Sequence, residues 1–152
     1  MTREERKQRI RDKYKEMVID PPVFATDGLR VAVYRRSSPQ PFEQIASCQL
    51  IVREYQERAK RYNWILKGVY SDEGWEDHTA LDKLLDDCGD IDLVVIRSIN
   101  HISHDMDKAL EITREIEARS VVVYFEGENI LGSRGWERLY SLMFPPRGQW
   151  RI

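Results

Sequence analysis

The chain has 152 residues, 41% apolar and 33% charged, with a net charge of −2. That length fits one domain with its own core, and no apolar run approaches ~18 residues, so no helix of the sequence spans a membrane. Only Cys48 and Cys88 occur, without CxxC spacing, and no apolar stretch follows the basic N-terminus. A reduced, cytoplasmic protein without a secretory signal is expected.

In chain order, residues 2–17 are charged, with Ile10, Tyr14, Met17 and Val18 at loose helical spacing. They predict a surface helix with a thin apolar stripe. Residues 20–28, "DPPVFATDG", predict an irregular linker. "LRVAVYR" predicts a strand. Residues 41–63 predict a long helix, with Ile45, Leu50, Val52, Tyr55 and Ala59 near one face. "WILKGVY" predicts a second strand. "HTALDKLLDDCG" predicts a short helix, with Leu81, Leu84, Leu85 and Cys88 at helical spacing and Gly89 as its stop. "IDLVVIRS" is a continuous apolar run, as in a strand covered on both faces. Residues 103–119 predict a helix capped by Ser103 or Asp105. "SVVVYFE" predicts another buried strand. "SRGWERLYSLMF" predicts a last helix, stopped by Pro145 and Pro146.

Charge is unevenly spread. From Asp72 to Asp92 there are nine acids against Lys83 alone, whereas the last 22 residues set Arg134, Arg138, Arg147 and Arg151 against Glu137. A surface built from the acidic tract repels nucleic acid; an ordinary solvated face is the simpler account of both tracts.

Strands separated by helices predict an α/β fold: a three-layer sandwich around a mainly parallel, four- to five-stranded sheet. Ligand sites of such sheets lie past the carboxyl ends of the strands, near the switch in strand order. Four segments occupy those places. "RRSSPQ" offers Arg36 and Ser38. Arg36 lies two residues earlier on an extended strand and so points to the same side; it suits a phosphate. The alternative is a strand-end turn in which Ser37 or Ser38 bonds the backbone. "SDEGWEDH" offers Asp72 and Glu73, acid–base groups or plain helix-entry residues. "RSINHISHD" offers Asn100, His101, His104 and Asp105, with the histidines one turn apart if the helix begins early. "EGENILGSRG" offers Glu126, Glu128 and Asn129.

From Leu29 to about Asn129 the order of pieces resembles the catalytic domain of the serine recombinases, the resolvase–invertase family. "RVAVYRRSS" resembles its first strand, which ends Tyr-x-Arg-x-Ser. "SCQLIVREYQERAKRYNWIL" resembles its first helix. "GVYSDEG" resembles its second strand and acidic end. "LDKLLDDCGDIDLVVIRSI" resembles the next helix and strand. "NHISHDMDKALEITREIEARSVVVYF" resembles the segment that usually carries Asp-Arg-Leu-x-Arg, and "EGENI" the end of strand four. The resemblance implies a nucleophile at Ser38 that attacks a DNA phosphodiester. It implies a scissile-phosphate contact at Arg36 and supporting roles for Tyr34, Gln49 and Asp72. It implies no metal, nucleotide or other cofactor, because the phosphoserine link conserves the bond energy.

The sequence also departs from that family. In Asn100–His104 both arginines are replaced, by His101 and His104. The nearest match to the arginine usual after strand two is His78. All three histidines of the chain thus fall where phosphate-binding arginines are expected. A neutral imidazole offers one N–H where guanidinium offers five and a fixed charge. The long C-terminal helix is expected to be cut short, with no DNA-binding domain after it and with residues 1–28 as an addition. The expected domain layout is residues 1–28 as helix and linker, 29–130 as the catalytic-type domain, and 131–152 as a truncated helix and tail.

Three functions compete. One is an impaired recombinase-like protein that binds and regulates a DNA-processing or recombination system of mobile-element or phage type. The acidic tract favours it, by presenting phosphate-like charge to a basic partner. Another is an active small serine recombinase working through Ser38. The third is a metal site of His101, His104 and Asp72 or His78. Partners are therefore DNA or a DNA-processing protein, with no membrane. A homodimer through Trp136, Leu139, Leu142, Met143 and Phe144 competes with simple packing of those residues on the sheet.

Overall fold

The computed structural model describes residues 2–6, 27–37, 41–74 and 76–143. Nine main elements follow in order: β1 (Arg30–Ser37), α1 (Pro41–Tyr62), β2 (Ile65–Glu73), α2 (Thr79–Asp87), β3 (Leu93–Ile96), α3 (Met106–Ala118), β4 (Val122–Phe125), β5 (Ile130–Leu131) and α4 (Gly132–Met143). Short 3₁₀ turns at Cys88–Asp90 and Ile99–His101 follow α2 and β3. The expected helix over residues 2–17 and its linker are described only at residues 2–6, 27 and 28; the four apolar residues of its stripe lie outside the described residues, as do Pro145 and Pro146.

The strands form one sheet in the order β2-β1-β3-β4-β5, parallel except for the last pair. Alternation along β1 sorts its side chains to two faces. Val31 and Val33 join Val95 and Tyr124 under Tyr55 and Ile51 of α1. Ala32 and Tyr34 join Val94, Ile96, Val123 and Phe125 under Leu81 and Leu84 of α2, Leu110 and Ile116 of α3, and Trp136 of α4. Helices thus cover both faces of the sheet. Each large apolar side chain fully buried in these two layers contributes ~1.5–3 kcal/mol.

Several expectations need correction. β2 continues three residues past Tyr70, so Asp72 lies within the strand, in register with Arg36. The cause is pairing along the whole of β1, which outlasts the apolar run. β5 was not foreseen: two residues are too few to show a period, and the turn that folds them back places Asn129 at φ 56°. Leu50 is not on the buried face of α1 and is 65% exposed; Tyr55 and Ala59 are buried. Leu50 lies one residue before Ile51 and so ~100° round the helix from the seam that Ile51 and Tyr55 share. On α3 the cap is Asp105, whose carboxylate accepts from the N–H groups of Asp107 and Lys108.

The N-terminal turn is tied to the base of the sheet. Asp92, fully buried before β3, accepts from Arg30 through its backbone N–H at 3.0 Å and its guanidinium at 3.2 Å, with Arg6 3.3 Å away. Arg3 donates to the carbonyls of Cys88 and Ile91 at 2.9 and 2.7 Å. Burial would raise the Asp92 carboxyl, but its bonds and charge contacts with Arg30 and Arg6 outweigh that and hold it below its ordinary value.

The opposite end of the sheet holds the switch point. From β1 the chain pairs outward to β2 on one side and to β3 and β4 on the other. The crevice between the carboxyl ends of β1 and β3 is where open α/β sheets place ligands. Arg36 and Ser37 of β1 and the segment from Arg97 to His101 lie at that end of the sheet.

Candidate functional site

Asp72, near the carboxyl end of β2 beside Arg36, is the hub of a buried polar cluster. Its carboxylate, 1% exposed, accepts from the backbone N–H groups of Ala80 at 2.7 Å and Leu81 at 3.1 Å. It is the anion at the start of α2, where unpaired N–H groups and the helix dipole favour negative charge. The same carboxylate accepts from the Tyr34 hydroxyl at 2.7 Å. Burial, then this bond, hold the Tyr34 phenol well above its ordinary value, so it stays a protonated donor.

Arg36 is buried beside it, with its side chain 1% exposed and Nη2 3.9 Å from Asp72. Each of its five guanidinium N–H donors has an acceptor within the chain. Nε donates to the His101 carbonyl at 2.8 Å. Nη1 donates to the carbonyls of Gly74, at 2.7 Å, and Asp77. Nη2 donates to the Tyr34 hydroxyl at 2.9 Å and faces Nδ1 of His78 at 3.1 Å. A guanidinium only donates, so His78 Nδ1 is the acceptor and its ring proton sits on Nε2.

His101 is an acceptor too. Its Nδ1 takes the backbone N–H of Arg36 at 3.3 Å. Burial, helped by the charges of Arg35, Arg97 and Arg36, pushes this imidazole down to about 4. At neutral pH it is uncharged and offers one N–H.

The structure brings Tyr34, Arg36, Asp72, His78 and His101 together. It does not bring Gln49 or His104 to them: both are exposed, Gln49 on α1 and His104 just before the cap of α3. The histidines do not share a helical turn, because His101 closes a 3₁₀ turn and α3 begins only at Met106. The Asp105 cap sets that late start. Ser38 lies outside the described residues. Among the described residues no group of three His, Cys, Asp or Glu is placed to hold a metal ion.

The family model of the resolvase N-terminal domain matches residues 31–144. The chain belongs to the resolvase family. Solved structures agree on the fold. The N-terminal catalytic domain of TP901-1 integrase is 20% identical at a TM-score of 0.54, over 75% of this chain and 89% of that one. A resolvase-family site-specific recombinase from Streptococcus pneumoniae is 15% identical at 0.56, over 76% and 83%. The C-terminal catalytic domain of ISC1926 TnpA, an IS607-like serine recombinase, is 15% identical at 0.53, over 64% and 69%. No curated protein matches the chain.

On the other face of the strand ends lies a second polar network, of which the sequence offered only Glu126. Arg58 donates to Glu54 and Glu126, both at 2.7 Å, Arg97 reaches Glu54 at 3.3 Å, and the Tyr55 hydroxyl donates to Glu126. The Glu54–Arg58 spacing was a visible signal, since residues four apart on a helix are neighbours. Glu128, named as a strand-end acid, serves as a cap. It accepts from the Ser98 hydroxyl at 2.7 Å and the Ile99 N–H at 3.1 Å. Trp136 packs edge-on against Phe125 at 5.7 Å, so the sheet takes this residue of the expected dimer face, while Leu139 and Leu142 are 37% and 75% exposed. Phe144 lies outside the described residues.

Proposed function

We propose that this resolvase-family domain is catalytically impaired and acts as a binding or regulatory protein on a DNA-processing or recombination system. One observation carries the reading: the guanidinium of Arg36 spends all five donors on its own chain. By family resemblance this arginine would contact the scissile phosphate. A phosphoryl-transfer transition state needs donors aimed at it, and losing one typically costs ~10²–10³ in rate.

Histidine in place of arginine deepens the deficit. His78 and His101 present lone pairs to Arg36, where the resemblance leads one to expect donors to phosphate. The acidic side chains around α2 add repulsion. Glu73, Glu76, Asp77, Asp82, Asp86 and Asp90 are all exposed, and the partner that fits them is a basic protein surface.

The competing reading is an active small serine recombinase with a Ser38 phosphoserine–DNA intermediate. Incubation with nicked and supercoiled DNA, quenched in denaturant at mildly acidic and neutral pH, separates the two. No covalent adduct is expected from the native protein, and Ser38→Ala leaves its biological activity unchanged. An adduct that disappears in Ser38→Ala overturns the proposal.

A further inference from the structure

We propose that the open cavity between β5 and α4 binds a small organic anion, an apolar body carrying a phosphate or carboxylate. The inference goes beyond the reading of Arg36 and does not depend on it: β4 and β5 lie two and three strands away from β1 in the sheet.

The cavity holds about 880 Å³. That is in the ~300–1,000 Å³ range of small-ligand sites and far more than a single ion fills. Its apolar lining comes from Val121 to Val123 and from Ile130 and Leu131 of β5. Ile130 and Leu131 are only half-buried, so apolar surface is left for a ligand to cover.

The polar lining is asymmetric. Glu117 and Glu137 line the cavity together with Arg134 and Arg138. Both acids are already engaged. Glu117 accepts the N–H of Ser133, in the first turn of α4, at 3.4 Å, and Glu137 accepts from Nε of Arg114 at 3.1 Å. Arg134 and Arg138 are exposed and have no hydrogen-bond or ion-pair partner among the described residues. With Ser141, which also lines the cavity, they recur at i, i+4 and i+7, one stripe along α4. Two unspent guanidinium forks a turn apart, beside an apolar surface, suit an oxyanion on an apolar body.

Two glycines set the shape. A Cβ on Gly135 would lie 2.6 Å from Cγ2 of Ile130, and one on Gly132 would lie 2.9 Å from a carboxylate oxygen of Glu117. Gly132 also has φ +66°, which favours glycine. The missing side chains let the start of α4 lie close against β5 and α3, and so hold the arginine stripe beside the apolar lining.

The test is an NMR titration of the full ¹⁵N-labelled chain with naphthyl phosphate and with naphthoate. Inorganic phosphate and neutral naphthol serve as the separate halves of the ligand. At least one naphthyl anion is expected to shift the amides of Ile130, Leu131 and Gly135 saturably, and the pair tells phosphate from carboxylate. Each half alone is expected to bind at least ~10-fold more weakly, since the charged hydrogen bonds and the apolar burial act together. Arg134→Gln combined with Arg138→Gln is expected to weaken the naphthyl anion at least ~10-fold. Far-UV circular dichroism reports folding, and the two single variants decide if the double variant unfolds. No saturable shift with either anion at millimolar concentration, or undiminished binding in the folded variants, overturns the proposal. Inorganic phosphate binding as tightly as naphthyl phosphate means an adventitious ion only, and naphthol binding as tightly means an apolar crevice only; either overturns it. Shifts of the same amides that grow with protein concentration alone assign the cavity to a second copy of the chain and overturn it too. A Ser38–DNA adduct from native protein overturns the impaired reading and leaves this site standing.

Discussion

The backbone N–H of Arg36 points at Nδ1 of His101 across 3.3 Å, so this histidine is a lone-pair acceptor at the end of β1. Its neutrality is enforced by burial and by three arginines. That relationship makes the ring part of the fold's electrostatics, and it has a pH signature.

In the unfolded chain His101 titrates near ~6.5, and in the folded chain at about 4. Between those values the unfolded state holds more protons. Stability is therefore fully present above ~6.5, falls as pH drops toward 4, and levels off below it. The loss is roughly 1–2 kcal/mol once the partial exposure of the ring is discounted. Urea unfolding at a series of pH values checks this, and His101→Gln flattens that segment of the curve.

Asp92→Ala is expected to destabilise the protein by ~3–5 kcal/mol, because it leaves Arg30 and its neighbours around a buried site with no counter-charge. Its pH window differs from that of His101. A depressed carboxyl contributes above its unfolded value of 3.8 and is lost only as pH falls below that. Equilibrium denaturation of the native protein and the variant at neutral and strongly acidic pH separates the two effects.

Tyr34→Phe keeps the ring and removes the hydroxyl that joins Asp72 to Arg36. A cost of ~1–3 kcal/mol is expected, since a buried carboxylate and a buried guanidinium each lose a partner. Thermal melts at neutral pH measure it.

Gly127→Ala drives a Cβ to 2.5 Å from the Arg97 carbonyl oxygen, whereas Gly89→Ala meets nothing within 4 Å. The first is expected to cost ~1–3 kcal/mol and the second to stay within ~0.5 kcal/mol. Chemical denaturation of the pair tests whether β3 and the turn after β4 are packed backbone to backbone.

Much of this was legible in the chain. Alternating and continuous apolar runs marked β1, β3 and β4, because burial on one or both faces leaves a period that side chains must obey. The order of pieces pointed to the family, the strand ends offered Arg36 and Asp72, and only the resemblance named Tyr34. The direction of the hydrogen bonds was not legible. His78 and His101 read as weakened donors, but in the folded chain they accept, because Arg36 is buried beside them and must be satisfied locally. The main-chain carbonyls of Gly74, Asp77 and His101 leave no trace in sequence at all. Nor did the seat of the N-terminal turn, since Arg3 and Arg6 looked like surface charge until Asp92 was found beneath them.

The central claim is that Arg36 is already spent. The most direct measurement is the NMR spectrum of its guanidinium in ¹⁵N-labelled protein, with and without duplex DNA. Separate, slowly exchanging Nη–H resonances that DNA leaves unmoved are the predicted result. A single averaged Nη signal in the free protein, or Arg36 resonances that shift on adding DNA to the native chain, would contradict it.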